Sequence, residues 1–241
     1  MWKPANFDHA ATFETIAMES NQKDMILKDL ERVMTRKEYN RKVGKAWKIG
    51  YLLFDPPGTG KSSLIAVIPN YLNFDIYDLE LTAVMRNSDL RKLLVTTTNK
   101  SILVIEDIDC TIDLKANLIT LLSLLNFIDG LWLSCGDERI IIFTTNHIEK
   151  LDPALLRPGR MDVHIHMAYC TPCGFKLLAA NYLGIKDHKF FNEIEEFIDI
   201  ANVTPAEVAE QLLKEHEVEN SLKGLINFLH KKMKEKKRPW K

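Results

Sequence analysis

Residues 54–63 read FDPPGTGKSS and join an apolar run to a helical pattern. A loop of this kind suits a polyphosphate, because successive backbone N–H groups can wrap an anion at a helix N-terminus, where the dipole favours negative charge. The candidate nucleotide-binding residues are Pro57, Gly58, Thr59, Gly60, Lys61, Ser62 and Ser63. Lys61 would reach the β- and γ-phosphates, and the Ser62 hydroxyl would hold Mg²⁺. A second group follows the apolar run 101–105: Glu106, Asp107 and Asp109. Phosphoryl transfer to water needs one acid to support Mg²⁺ and another to polarise the water, and Glu106 and Asp107 fit those roles. Asp109 would stand behind them. After the run 139–144 comes Asn146, whose amide could bind both a γ-phosphate and the attacking water. Arg157 and Arg160, separated by Pro158 and Gly159, make a rigid guanidinium pair suited to charge on a transferred phosphoryl group.

Rival chemistries are weaker. Gly58, Gly60 and Ser63, with Glu80 about twenty residues on, loosely imitate a dinucleotide fingerprint, but a lysine inside the turn fits it poorly. His164, His166, Cys170 and Cys173 could be drawn as a zinc site. The simpler reading is alternate strand positions followed by a capped helix start. Cys110 reads as a core-edge thiol and Cys135 as a loop thiol. Two residues fit the phosphate loop badly. Asp55 stands at its first position, where glycine is free to take positive φ. At ~6 Å and an effective dielectric constant of ~20, its carboxylate would repel one phosphate charge by about 3 kcal/mol, about a hundredfold in affinity. Pro69 falls inside the following helix and should kink it.

These groups need a frame that brings strand ends together. Apolar runs at 51–54, 74–79, 101–105, 139–144 and 163–167 alternate with helical patterns at 61–72, 88–98 and 118–128. Strands this apolar are expected where helices cover both sheet faces, and the alternation implies right-handed crossovers and a parallel sheet. A helix should begin near Asn21 and end in the basic stretch 36–48. After residue 168 the pattern turns all-helical. Thr171 and Pro172 start one helix, and others follow over 190–200, 205–216 and 217–236. The organisation expected is an arm (1–20), an α/β nucleotide-binding core (21–168), a small helical lid (169–230) and a basic tail (231–241).

Of 241 residues, 32 are Lys or Arg and 33 are Asp or Glu, giving a net charge of -1. The segment 231–241 (KKMKEKKRPWK) alone contributes about +6, leaving about -7 on the rest. No nucleic-acid partner is therefore expected. Any membrane contact is expected through parts absent from this chain or weakly through the tail. Four cysteines make no disulfide scaffold, and no signal peptide or apolar run of about eighteen residues occurs, so the chain reads as soluble and intracellular.

Together, the loop 58–63, the acidic strand, Asn146 and the segment 151–162 resemble Walker A, Walker B, sensor 1 and the second region of homology of the AAA ATPases. The likeness runs from about Phe13 to about Leu213, nearly the whole chain. The order Glu106-Asp107, the stretch LNFIDG (125–130) and the stretch MDVHIH (161–166) are similar to the Bcs-type clade, mitochondrial complex III assembly chaperones and their plant relatives. That resemblance implies a five-stranded parallel P-loop core with a helical lid and ATP and Mg²⁺ as ligands. It also implies a hexameric or heptameric ring of identical subunits acting on a protein substrate, in mitochondria or at another intracellular membrane. Arg157 and Arg160 would act on a neighbour's ATP, and residues 15–17 would lie near the adenine. Segment 82–87 lacks the aromatic-Gly pair of rings that thread extended chains. The alternative is a truncated or degenerate AAA module with weak or no hydrolysis.

Overall fold

The computed structural model describes residues 11–35, 42, 48–79, 96–110 and 139–236. Five strands, β1 (Lys48–Phe54), β2 (Asp75–Asp78), β3 (Ser101–Ile105), β4 (Arg139–Thr145) and β5 (Val163–His166), form a parallel sheet ordered β2-β3-β4-β1-β5. Every residue of β3 and β4 is buried. Leu52, Leu103, Ile105, Ile141 and Phe143 pack on one face with Leu151, Leu155 and Met161. Alternation sends Tyr51, Leu53, Ile102, Val104 and Ile142 to the other face, and they are buried as well. That double burial explains why β3, β4 and the end of β1 read as unbroken apolar runs. β1 begins at Lys48, ahead of its apolar run, because Lys48 to Gly50 still pair with Arg139 to Ile141 of β4.

By proximity of their Cα atoms, the described residues fall into two compact units. One holds residues 28–56 and 64–166 and contains the sheet. Helix α1 (Ser20–Thr35) reaches into it, and Asp29 accepts a 2.8 Å hydrogen bond from the buried Tyr51 phenol of β1. Helix α2 (Lys61–Leu72) continues past Pro69, which is buried in its last turn, and the Phe74 N–H returns to the Pro69 carbonyl at 3.1 Å.

The other unit gathers residues 11–27, 57–63 and 167–236. Its helices are α3 (Pro172–Leu183), α4 (Phe191–Ala201), α5 (Pro205–Leu213) and α6 (Val218–Lys236). Thr171 caps α3 by accepting the Gly174 N–H at 3.1 Å, and Gly184 ends that helix at φ 67°. Phe175 and Phe191 meet edge-on, centroids 4.9 Å apart, in a core with Ile194, Val208, Leu222 and Leu225. Truncating Phe175 to alanine there would cost about 3–5 kcal/mol. Residues 231–236 of the basic segment form the end of α6. The arm at 1–10, the basic stretch at 36–41 and 43–47, the helices expected at 88–95 and 118–128, and the tail at 237–241 lie outside the described residues. So do Glu80, Cys135 and the stretches 82–87 and 125–130.

Candidate active site

The C-terminal edge of a parallel sheet is where ligands bind, and β1 stands between β4 and β5 at the point where strand order reverses. β3 delivers Glu106 and Asp107 to that edge, both exposed. Asp107 has φ 47°, the left-handed conformation that aspartate tolerates. Two groups from β4 and its extension hold it. The Thr144 hydroxyl accepts the Asp107 N–H at 2.9 Å, and the Asn146 amide donates to the Asp107 carboxylate at 3.0 Å. The amide is a neutral donor, and the exposed carboxylate keeps further lone pairs that can accept a hydrogen bond from a water.

Asp109 lies deeper, at 4% exposure. It accepts the Thr145 hydroxyl at 2.7 Å and the Asn146 N–H at 3.2 Å. Burial opposes its charge, but these hydrogen bonds outweigh burial and hold the carboxyl below the usual range. Asp109 thus fixes the backbone that aims the Asn146 side chain, while Asn146 touches Asp107.

The arginines come from elsewhere. Arg157 is exposed, and Arg160 donates to the Ala154 carbonyl at 3.1 Å. Their turn is fastened by Asp162, whose carboxylate accepts the Gly159 N–H at 2.7 Å and the Gly50 N–H at 3.1 Å. Gly50 is obligatory there, since a Cβ would sit 1.7 Å from the Arg160 carbonyl oxygen. Gly50 precedes Phe54 by four residues, about 13 Å along the strand. The turn therefore meets β1 near its N-terminal end. Asp107 and Asn146 are brought together; Arg157 and Arg160 are not brought to them.

The phosphate loop belongs to the helical unit. Gly58 has φ 83° and Gly60 φ 97°, conformations that glycine adopts without strain. Lys61 is buried at the first turn of α2, and Thr59 is buried beside it in sequence. Pro57, Ser62 and Ser63 are exposed. Sequence reading missed what supports this loop. The Gly58 carbonyl accepts the Ala206 N–H at 3.1 Å, and a Cβ on Gly58 would lie 3.0 Å from the Thr204 hydroxyl. Thr204 and Glu207 form a capping box at the start of α5, and Lys232 of α6 holds Glu207 at 2.6 Å. Burial of Glu207 is outweighed by the Lys232 ammonium, which keeps its carboxyl below the usual range. The capping signature TPAE (204–207) was present in the sequence, but nothing local ties it to residue 58. Residues 15–17 lie against α3: the Asn181 amide donates to the Thr15 carbonyl at 2.9 Å.

Of the zinc candidates, His164 Nε2 lies 3.2 Å from the Met161 carbonyl and His166 pairs with the Asp55 carboxylate. Cys170 is buried, its thiol pushed up to about 12, while Cys173 is exposed. They do not converge. Cys110, expected at a core edge, is exposed because the turn after β3 carries it outward.

A family model described as "ATPase family associated with various cellular activities (AAA)" matches residues 51–169. A second, "At3g28540-like, AAA+ ATPase lid domain", matches residues 170–239. The chain is 58% identical over 246 residues to the Arabidopsis thaliana protein HYPER-SENSITIVITY-RELATED 4, covering 95% of this chain and 43% of that relative. It is 58% identical over 243 residues to AAA-ATPase At3g50940 (96% and 54%) and 52% over 247 residues to the mitochondrial AAA-ATPase At3g28570 (96% and 54%), both from Arabidopsis thaliana. The chain spans about half the length of the curated relatives it matches.

Proposed function

The chain belongs to the AAA ATPase family, and from that premise we propose that it binds ATP with Mg²⁺ and hydrolyses it to remodel or move a protein substrate. The observation that carries this reading is the 3.0 Å hydrogen bond from the Asn146 amide to Asp107, on the sheet edge from which β1 runs into the phosphate loop. The loop amides and Lys61 bind and orient the triphosphate. Asp107 accepts the proton of the attacking water, and Asn146 fixes both the carboxylate and the water. Ser62 and Glu106, an exposed hydroxyl and an exposed carboxylate, are hard oxygen donors of the kind Mg²⁺ takes. When bound, the ion would neutralise charge on the β- and γ-phosphates.

Arg157 and Arg160 complete the reaction on a neighbouring subunit's ATP, which fits their attachment to the opposite end of β1 and calls for a homo-oligomeric ring. The order Glu106-Asp107 supports assignment to the Bcs-type clade. The word "mitochondrial" in one relative's name supports that compartment, as does the clade. Among the described residues no helix is long and apolar enough to cross a membrane. A full-length fluorescent fusion found outside mitochondria would remove that assignment.

Single-turnover ATP hydrolysis tests the main claim. It should be abolished by Asp107→Asn, and the wild-type rate per subunit should rise with protein concentration. A rate indifferent to both would sink the reading. A second reading, a degenerate AAA module, is favoured by Asp55 in the place of the loop's first glycine. Calorimetric titration of ATP·Mg²⁺ decides it: tight binding by the wild type removes this option, and binding seen only with Asp55→Gly supports it.

A further inference from the structure

Asp55 follows β1 directly and has φ 139°, within the region that favours glycine. Its side chain is 22% exposed and its carboxylate contacts His166 Nε2. Strand register creates this pair. Phe54 and His166, the last residues of β1 and β5, are Cα partners across the sheet. The Phe54 ring stands 5.4 Å from the imidazole, tilted by 40°, and flanks it. His164, two positions earlier on β5, is turned to the Met161 carbonyl. Strand order gives the pair a direction. β5 lies on one side of β1, while β4 and β3, which bear Asn146 and Asp107, lie on the other. Histidine thus draws the Asp55 carboxylate away from the acidic group, across a sheet whose strands are about 4.8 Å apart.

With the His166 side chain 60% exposed, the pair contributes little to stability. Its consequence is electrostatic. A carboxylate at the head of a phosphate loop opposes polyphosphate unless a nearby group turns it aside. We infer that His166 is a positioning residue for the phosphate loop, holding the Asp55 carboxylate aside so that the loop accepts a nucleoside triphosphate despite an acid where glycine belongs. This rests on the nucleotide-binding reading of the same loop.

The test is calorimetric titration of ATP·Mg²⁺ into the full chain and its His166→Ala, His166→Lys, Asp55→Gly and doubly substituted Asp55→Gly/His166→Ala forms. His166→Ala should weaken binding about 10- to 100-fold. His166→Lys, which restores a nitrogen donor to the carboxylate, should recover most of that loss. In the Asp55→Gly background, His166→Ala should change affinity less than about twofold, since no carboxylate remains to manage. An equal loss in both backgrounds, no loss in either, or a wild type that fails to bind while Asp55→Gly binds would each overturn the inference. If no form binds nucleotide, the reading of the loop fails instead. The pair is then judged in nucleotide-free protein by the ¹³C resonance of the Asp55 carboxyl. A shift on His166→Ala supports the pair, and an unmoved resonance overturns it.

Discussion

β1 and β3 leave the sheet at the same edge, and each does so near an aspartate with positive φ, yet the two aspartates live under opposite constraints. Asp107, at φ 47°, sits in the small left-handed well that aspartate visits readily. Asp55, at φ 139°, lies outside it, where a side chain costs about 1–3 kcal/mol. Their backbones differ as well: the Asp107 N–H reaches the Thr144 hydroxyl at 2.9 Å, whereas the Asp55 N–H reaches the Thr145 carbonyl only at 3.4 Å. Their carboxylates differ most. β4 offers Asp107 a neutral amide, and β5 offers Asp55 an imidazole. The neighbouring strand therefore decides which partner an acid at this edge meets, an amide or an imidazole. Residue type alone does not.

The sharpest way to break the comparison is to remove each negative charge in turn. Asp107→Asn should lower the single-turnover hydrolysis rate by about 10²–10⁴-fold, whereas Asp55→Asn should leave the rate from the bound complex within about threefold. Equal losses would show that the two acids are not distinguished. Asn146→Ala tests the amide that separates them. Losing a hydrogen bond to a charged partner should lower the hydrolysis rate about 10- to 100-fold, with ATP·Mg²⁺ affinity changed much less.

Backbone strain gives a smaller contrast, read by urea unfolding. Asp55→Gly should raise the unfolding free energy by about 1–2 kcal/mol, with the greater chain entropy of glycine offsetting part of the relief. Asp107→Gly should gain less than about 1 kcal/mol or lose stability, because it also forfeits the Asn146 contact. A more modest effect concerns acid. The carboxyl of Asp109 is lowered in the folded state, so its contribution is present above its unfolded value, near 3.9, and is lost as pH falls through the folded one. Between pH 5 and pH 2, Asp109→Asn should therefore flatten the decline of stability with falling pH. A slope identical to wild type would show that its hydrogen bonds do not favour the ionised form.

Local patterns made much of this legible. The five apolar runs became the five strands, most plainly at β3 and β4, where burial on both faces leaves no alternation to confuse the reading. Gly58, Gly60 and Lys61 stood out because a loop's backbone needs are written in consecutive residues. What stayed hidden was register. His166 meets Asp55 across more than a hundred residues, through the pairing of β5 with β1, and a sequence does not display which residues end opposite each other. The Gly50 contact is another such case: the glycine was unremarkable until the Arg160 carbonyl was found where a Cβ would lie. Thr204 and Ala206 read as a helix start, and only tertiary structure ties them to Gly58.

The amide of Ala206 bonds to the carbonyl of the very residue whose lack of a side chain lets the loop bend. A shift of that peptide by a fraction of an ångström would pull directly on the first turn of α5. Loop and helix are thus joined through main-chain atoms alone. Such a joint leaves no signature in a comparison of side chains, and a methyl group at residue 58 would act as a wedge in it.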